Sequence, residues 1–149
     1  MKLCLVCSAG GHLVELQQLS KIYKDREHFF MTFKRHDSEY ISKNERVYFI
    51  KDPERNPVSL AINFLQSLYI LLKERPDAVI TTGAGVAVIP CYIAKLLGKK
   101  VIYIESLCRI SEPSLSGEIV YRIADLFLVQ WAQLKSKYGD KAIHAGSVF

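Results

Sequence analysis

Short apolar runs rich in β-branched residues alternate with longer helical patterns along the whole chain, and this alternation constrains the fold more than any other feature. The runs predict strands over Leu3–Cys7, His28–Phe33, Val47–Ile50, Ala78–Thr82, Val101–Ile104, Leu126–Gln130 and Ala142–His144. Between them, helical spacing predicts helices near His12–Tyr23, Pro57–Glu74, Val86–Leu97, Ser116–Ala124 and Ala132–Tyr138. Strands that are apolar almost throughout belong to a parallel sheet covered on both faces. Right-handed crossovers then wind the chain into a doubly wound, mainly parallel, Rossmann-like α/β fold. Pro53 and Pro57 interrupt the chain before the long helix, and Pro76-Asp77 separates that helix from the next strand. With 149 residues and no repeats, linkers or charged tails, the chain reads as one domain over residues 1–149. Two halves of that length would each be short of core.

Half of the residues are hydrophobic and 23% are charged, which excludes a disordered chain. The formal net charge of +5 suggests an anionic partner such as a nucleotide, a diphosphate or an acidic lipid leaflet. The positive charge is dispersed, and no interleaved aromatic-basic motif points to nucleic acid. Cys4 and Cys7 stand in a C-x-x-C spacing, but residues three apart on a strand face opposite ways, so their thiols diverge. No second Cys/His pair completes a zinc set, and no metal site is expected. These are buried structural thiols of a reducing cytoplasm. The N-terminal apolar run is too short for a signal peptide and reads as the first strand. The most apolar segment, Val58–Leu72, is shorter than the roughly 20 residues that span a bilayer. Ser59, Asn63, Gln66 and Ser67 form one narrow polar stripe on it. Two readings stand: a helix packed on the sheet, or one whose apolar surplus meets a membrane face or a partner.

Ligands of such sheets bind beyond the carboxyl ends of the strands, so the loops there carry the functional expectations. Ser8-Ala9-Gly10-Gly11-His12 joins the first strand to the first helix. Its glycines let backbone N–H groups approach a ligand, and the helix N-terminus favours an anion. His12 suits a phosphate contact or a base towards a hydroxyl, and suits a helix-capping role in a plain glycine turn equally. Thr81-Thr82-Gly83-Ala84-Gly85-Val86 begins like a dinucleotide fingerprint, but Val88 stands where its third glycine belongs. It is either a second ligand-facing turn or a tight strand-helix connection. Glu105-Ser106-Leu107-Cys108-Arg109 offers a carboxylate for a sugar hydroxyl and a guanidinium for a diphosphate, or a local ion pair fixing the loop. Arg35, in the cluster Lys34-Arg35-His36-Asp37, follows the second strand onto the same edge.

SAGGH at Ser8–His12, TTGAGVAVIP at Thr81–Pro90 and IESLCR at Ile104–Arg109 together resemble a known family. It comprises small bacterial polysaccharide-biosynthesis glycosyltransferase subunits, related to the membrane-anchoring subunit of the eukaryotic dolichol-linked N-acetylglucosaminyltransferase. More distantly, the three loops resemble the N-terminal half of the peptidoglycan lipid-intermediate glycosyltransferase, a two-domain GT-B enzyme. The resemblance covers essentially the whole chain and implies a split enzyme. This chain would be the acceptor lobe, and a small donor-binding glycosyltransferase subunit would complete the heterodimer.

On that resemblance, Ser8, Gly10, Gly11, Arg35, Gly83, Gly85, Glu105, Ser106 and Arg109 would surround the acceptor diphosphate, with His12 at the reacting hydroxyl. The acceptor would be an undecaprenyl-diphosphate-linked sugar on the cytoplasmic membrane surface. The transfer would be of a galactose-type hexose in β-1,4 linkage, for capsule or exopolysaccharide. The chain would bind no cofactor of its own, because the UDP-sugar is a substrate held mainly by the partner. Two competing expectations are a pure scaffold that recruits its partner to the membrane and an NAD(P)-dependent oxidoreductase.

Overall fold

The computed structural model describes all of residues 1–149. The strands are β1 (Lys2–Cys7), β2 (Glu27–Thr32), β3 (Val47–Phe49), β4 (Ala78–Gly83), β5 (Lys100–Ile104), β6 (Leu126–Val129) and β7 (Ala142–His144). The helices are α1 (Gly11–Gln18), α2 (Ser20–Tyr23), α3 (His36–Ile41), α4 (Pro57–Glu74), α5 (Gly85–Leu96), α6 (Leu115–Tyr121) and α7 (Ala132–Tyr138). All seven strands are parallel in the order β3-β2-β1-β4-β5-β6-β7. The sheet is therefore the doubly wound one that the strand-helix alternation predicts. Its order reverses between β1 and β4, so a crevice opens past their carboxyl ends.

Strand alternation divides the core between the two faces. Leu3, Leu5, Cys7, Phe30 and Ile80 pack with Leu13, Leu16, Tyr23 and Ile41 of α1–α3. Cys4, Val6, Phe29, Met31, Val79, Val101, Tyr103 and Phe127 pack on the other face with α4–α7. Cys4 and Cys7 accordingly lie on opposite faces, and both are buried free thiols. Burial pushes the Cys91 thiol up to about 12, so it too packs as a small hydrophobe.

Local chemistry explains most of the element ends. The Asn56 side chain accepts from Val58 N at 2.9 Å and Pro57 opens the first turn of α4, a cap worth about 1 kcal/mol. At the far end Arg75 takes the left-handed conformation (φ 49°) and Pro76 prevents continuation. Ser114 caps α6 by accepting from Gly117 N.

Two departures from expectation are local. The stretch His12–Tyr23 is not one helix, because it tightens at Leu19 (ψ 16°), where Leu19 N bonds Leu16 O and Ile22 N bonds Leu19 O. The helix α3 lies where only a basic cluster was expected. Arg35 N donates to the Ser38 hydroxyl, and Asp37 and Glu39 stand in its first turn.

For Val58–Leu72 the sequence left two readings open and no direction for its polar stripe. Helix α4 packs on the sheet with its polar stripe facing inward. Ser59, Asn63 and Ser67 are buried, while Val58, Leu60, Ile62, Phe64, Leu65, Tyr69 and Leu72 are exposed. Asn63 Nδ2 donates to Lys51 O at 2.8 Å, Ser67 Oγ donates to Asn63 Oδ1, and Lys51 N donates to Gln66 Oε1. The uncharged stripe is thus a set of hydrogen bonds that ties the helix to the β3–α4 loop.

Candidate functional site

A cavity of about 650 Å³ lies at the carboxyl edge of the sheet, beside the β1/β4 crevice. Its polar lining includes His12, Glu15, Arg55, Ser106 and Arg109, and its apolar lining includes Leu60, Val88, Leu115 and Ile119.

Parallel pairing brings the two glycine loops together, with Cys7 opposite Gly83 in the ladder. His12 and Thr82 then clasp each other. The Thr82 hydroxyl donates to His12 O at 2.7 Å, and the Thr82 carbonyl lies 2.7 Å from His12 Nδ1. A carbonyl only accepts, so the proton of the neutral imidazole is on Nδ1. Nε2 keeps its lone pair and has no partner within the chain, which is the tautomer a general base needs.

Gly83 has a structural reason to be glycine. Its φ is 108°, and a Cβ there would stand 2.7 Å from the Tyr103 hydroxyl and 3.5 Å from the His12 ring. Tyr103 is itself fixed beneath the loop by Ser114 and Ser116, and burial and Glu105 push its phenol up. Ala84 follows at φ 76°, ψ 163°, a region almost reserved for glycine. Glu54 (φ 48°) and Arg55 (φ 57°) are left-handed residues on the opposite wall. Three of the four non-glycine residues with positive φ thus lie on the cavity wall, the fourth, Arg75, closing α4 at its other end.

The first glycine loop differs from the phosphate cradle expected of it. Gly10 N, at φ 97°, already donates to Asp37 Oδ2 at 2.5 Å, and Arg35 stands over Gly10 with its Nε 3.8 Å from Asp37. The structure does bring Arg35 to the glycine loop, but Arg35 is not part of the cavity lining. Ser8 and Gly10 also lie outside the lining, whereas Gly11 and Gly85 are part of it.

Glu105 requires a correction. Its carboxylate is fully buried and does not face the cavity, and it forms no ion pair with Arg109. It accepts from Ser106 N, Ser114 N, Ser114 Oγ and the Tyr138 hydroxyl. Burial and the adjacent carboxylate push the Tyr138 phenol up, which keeps it a donor. Glu105 therefore ties the two ends of the β5–α6 loop together through Ser106 and Ser114, the cap of α6, and ties the loop to α7 through Tyr138.

The carboxylate that does line the cavity is Glu15, which the sequence reading missed. It sits one turn beyond His12 and accepts from Ser106 Oγ at 2.8 Å, Leu107 N and Gln130 Nε2. The spacing of His12 and Glu15 by three on one helix was the available signal. Gln130 also donates to Glu105 O and accepts from Val148 N, joining the loop to the C-terminal segment. Arg55 was likewise unmarked. It and Arg109 line the cavity with no acidic partner within ion-pair distance.

Comparison with known proteins adds an independent line. The family described as "Oligosaccharide biosynthesis protein Alg14 like" matches residues 52–148. The mouse protein named UDP-N-acetylglucosamine transferase subunit ALG14 is 32% identical, over 99% of this chain and 83% of its own length. Its human counterpart is 29% identical over the same shares. Among solved structures, Acinetobacter baumannii MurG superposes with a TM-score of 0.81 at 15% identity, over 99% of this chain and 45% of that one. The UDP-GlcNAc 2-epimerase of Methanocaldococcus jannaschii gives 0.77 at 14%, over 99% and 46%. The chain thus spans a little under half of each of these larger proteins, and at such identities the likeness establishes the fold alone.

Proposed function

The chain belongs to the Alg14-like family of oligosaccharide-biosynthesis proteins, and from that premise we propose that it is the acceptor-binding subunit of a two-chain glycosyltransferase. The observation that carries this reading is the cavity, where a free imidazole Nε2 and two unpaired arginines stand beside an apolar wall. That combination suits a diphosphate joined to a sugar at one end and to a lipid at the other. The relatives' name, a transferase subunit, supports a partner chain that supplies the UDP-sugar. The polysaccharide is bacterial capsule or exopolysaccharide, the acceptor an undecaprenyl-diphosphate sugar, and the transferred group a galactose-type hexose in β-1,4 linkage. The complex works at the cytoplasmic face of the membrane, and the chain uses no cofactor or metal.

His12 Nε2 takes the proton of the acceptor hydroxyl as its oxygen bonds to the donor anomeric carbon. The bond from that carbon to the UDP oxygen breaks with inversion, and its electron pair leaves on UDP. Arg55 and Arg109 hold the acceptor diphosphate. Ser106 and Glu15 fix the loop that carries Arg109.

A second reading, a scaffold that recruits its partner, is favoured by Asp37. This carboxylate occupies the Gly10 amide that a phosphate would use. Sugar transfer assayed with each purified subunit and with the mixture tests the proposal. Activity is expected only in the mixture, and full turnover by this chain alone would overturn it.

A further inference from the structure

Asn63 does not line the cavity, yet it holds both of the segments that frame one side of it. The residue lies on the inward stripe of α4 and is fully buried. Its amide nitrogen carries two protons and donates to two carbonyls, Lys51 O at 2.8 Å and Val86 O at 3.4 Å. Its oxygen accepts from Ser67 Oγ at 3.2 Å, so both ends of the amide have partners. The Val86 carbonyl needs such a donor for a chemical reason. In an unbroken helix it would accept from the N–H four residues on, but that residue is Pro90, which has none. Asn63 supplies a donor in its place from the neighbouring helix. We infer that Asn63 is a positioning residue for Arg55: it locks the β3–α4 loop to the first turn of α5 and so sets where Arg55 stands relative to Ala84 and Gly85. The inference rests on the reading of Arg55 and Arg109 as the diphosphate contacts.

Three observations carry Asn63 from packing to function. The first is where its two carbonyls lie. Lys51 immediately precedes Asp52–Arg55, four successive residues of the cavity lining, and Val86 immediately follows Ala84 and Gly85, which line it too. The second is the grip on the loop. The strand β3 is a three-residue edge strand, and the backbone bonding that continues it ends with Ile50 N on Thr32 O. Beyond it, Lys51 N donates to Gln66 Oε1 and Lys51 O accepts from Asn63, so side chains of α4 take both backbone groups of that residue. The Asn56 cap closes the loop at its other end. The third is strain. Glu54 and Arg55 are both left-handed, a conformation that non-glycine residues keep only where the surroundings fix it. Without Asn63 the loop is free to relax, and Arg55, with no acidic partner to restrain it, moves with its backbone. The consequence is a change in affinity, because Arg55 holds the diphosphate in the ground state and the transition state alike.

Acceptor kinetics of the two-subunit mixture carrying Asn63→Leu test the inference. KM for the acceptor should rise about tenfold, as for one misplaced charge-assisted contact, with kcat held within about twofold. A purely structural role predicts the opposite split, because fewer folded molecules lower kcat and leave KM unchanged. Arg55→Ala should raise KM by itself, and adding Asn63→Leu should raise it no further; an additive rise overturns the inference. Pro90→Ala returns an N–H to the helix. In that background Asn63→Leu should lower the urea midpoint less than it does in wild type, and an equal drop overturns the lock to α5. Trp131, the single tryptophan, donates to Leu107 O two residues before Arg109 and reports on the cavity without turnover. Pyrophosphate titrated into the full chain should change its emission, with a Kd about tenfold weaker in Asn63→Leu. Should circular dichroism show that variant unfolded, Asn63→Ser, too short to reach both carbonyls, takes its place in the titration. Unchanged Kd in a folded variant, or no pyrophosphate binding by wild type, overturns the inference. Weakened pyrophosphate binding beside a wild-type mixture that transfers no sugar upholds the role of Asn63 and counts against the proposed function.

Discussion

The amino ends of the strands and the cavity beyond their carboxyl ends treat charge in opposite ways. At the amino ends of the strands, cations and carboxylates pair off. Lys2 meets Glu27 and Glu74, Arg46 meets Glu74 at 3.1 Å, the Tyr48 hydroxyl donates to Glu74, and Lys95 and Lys100 meet Asp125. Lys2 N and Val101 N donate to Asp77 and Asp125 there as well. At the carboxyl ends, Arg55 and Arg109 line the cavity unpaired, the His12 Nε2 lone pair is unused, and Ala84, Glu54 and Arg55 hold uncommon backbone conformations. The closed end contributes stability. The cavity leaves its cations and imidazole unpaired, the pattern of a candidate ligand site.

The contrast is broken most severely at His12. His12→Ala should lower turnover of the two-subunit complex by roughly 10²–10⁴-fold, the usual worth of a general base. It should lower stability by only about 1 kcal/mol for the lost bond to Thr82, as read by urea unfolding. Glu105→Ala should do the reverse. It orphans buried donors on Ser114 and Tyr138, so a loss of about 3 kcal/mol is expected in the same unfolding assay. Glu105 thereby behaves as a member of the closed end although it lies on the open edge. Glu74→Gln, at the other end, should cost about 1–2 kcal/mol near neutral pH and leave turnover unchanged.

Burial alone would raise the Glu74 carboxyl, but Lys2, Tyr48 and Arg46 together hold it below its ordinary value, and Asp125 is lowered similarly by Lys95, Val101 N and Lys100. A lowered native value contributes stability at pH above the unfolded value, and this is lost as the pH falls through the native one. The thermal midpoint should therefore drop from about pH 6 to about pH 3, and less steeply in Glu74→Gln. The smallest effect is expected at Ala84→Gly, a gain of about 1 kcal/mol from relieved strain at the open end.

The fold was legible because parallel strands buried on both faces must be apolar almost throughout, and only such strands follow one another here. The adjacency of the glycine loops followed from the same logic, since a doubly wound sheet brings the carboxyl ends of its inner strands together. What escaped was direction and partnership. Periodicity located the stripe Ser59–Asn63–Ser67 but not which way it faced, because uncharged amides and hydroxyls can be satisfied by a backbone carbonyl as readily as by water. Glu105 looked like a ligand contact because its partners Ser114 and Tyr138 lie 9 and 33 residues along the chain. The break at Leu19 carries no glycine or proline to announce it. Asp37, whose carboxylate fills the Gly10 amide, stood in a cluster noticed only for its cations.

The chain enters α4 after the carboxyl end of β3 and returns toward the amino edge, so the helix runs antiparallel to every strand. Any plane on which its outer side lies flat is therefore parallel to the strand axes. The cavity, beyond the strand ends, then looks along that plane instead of into it.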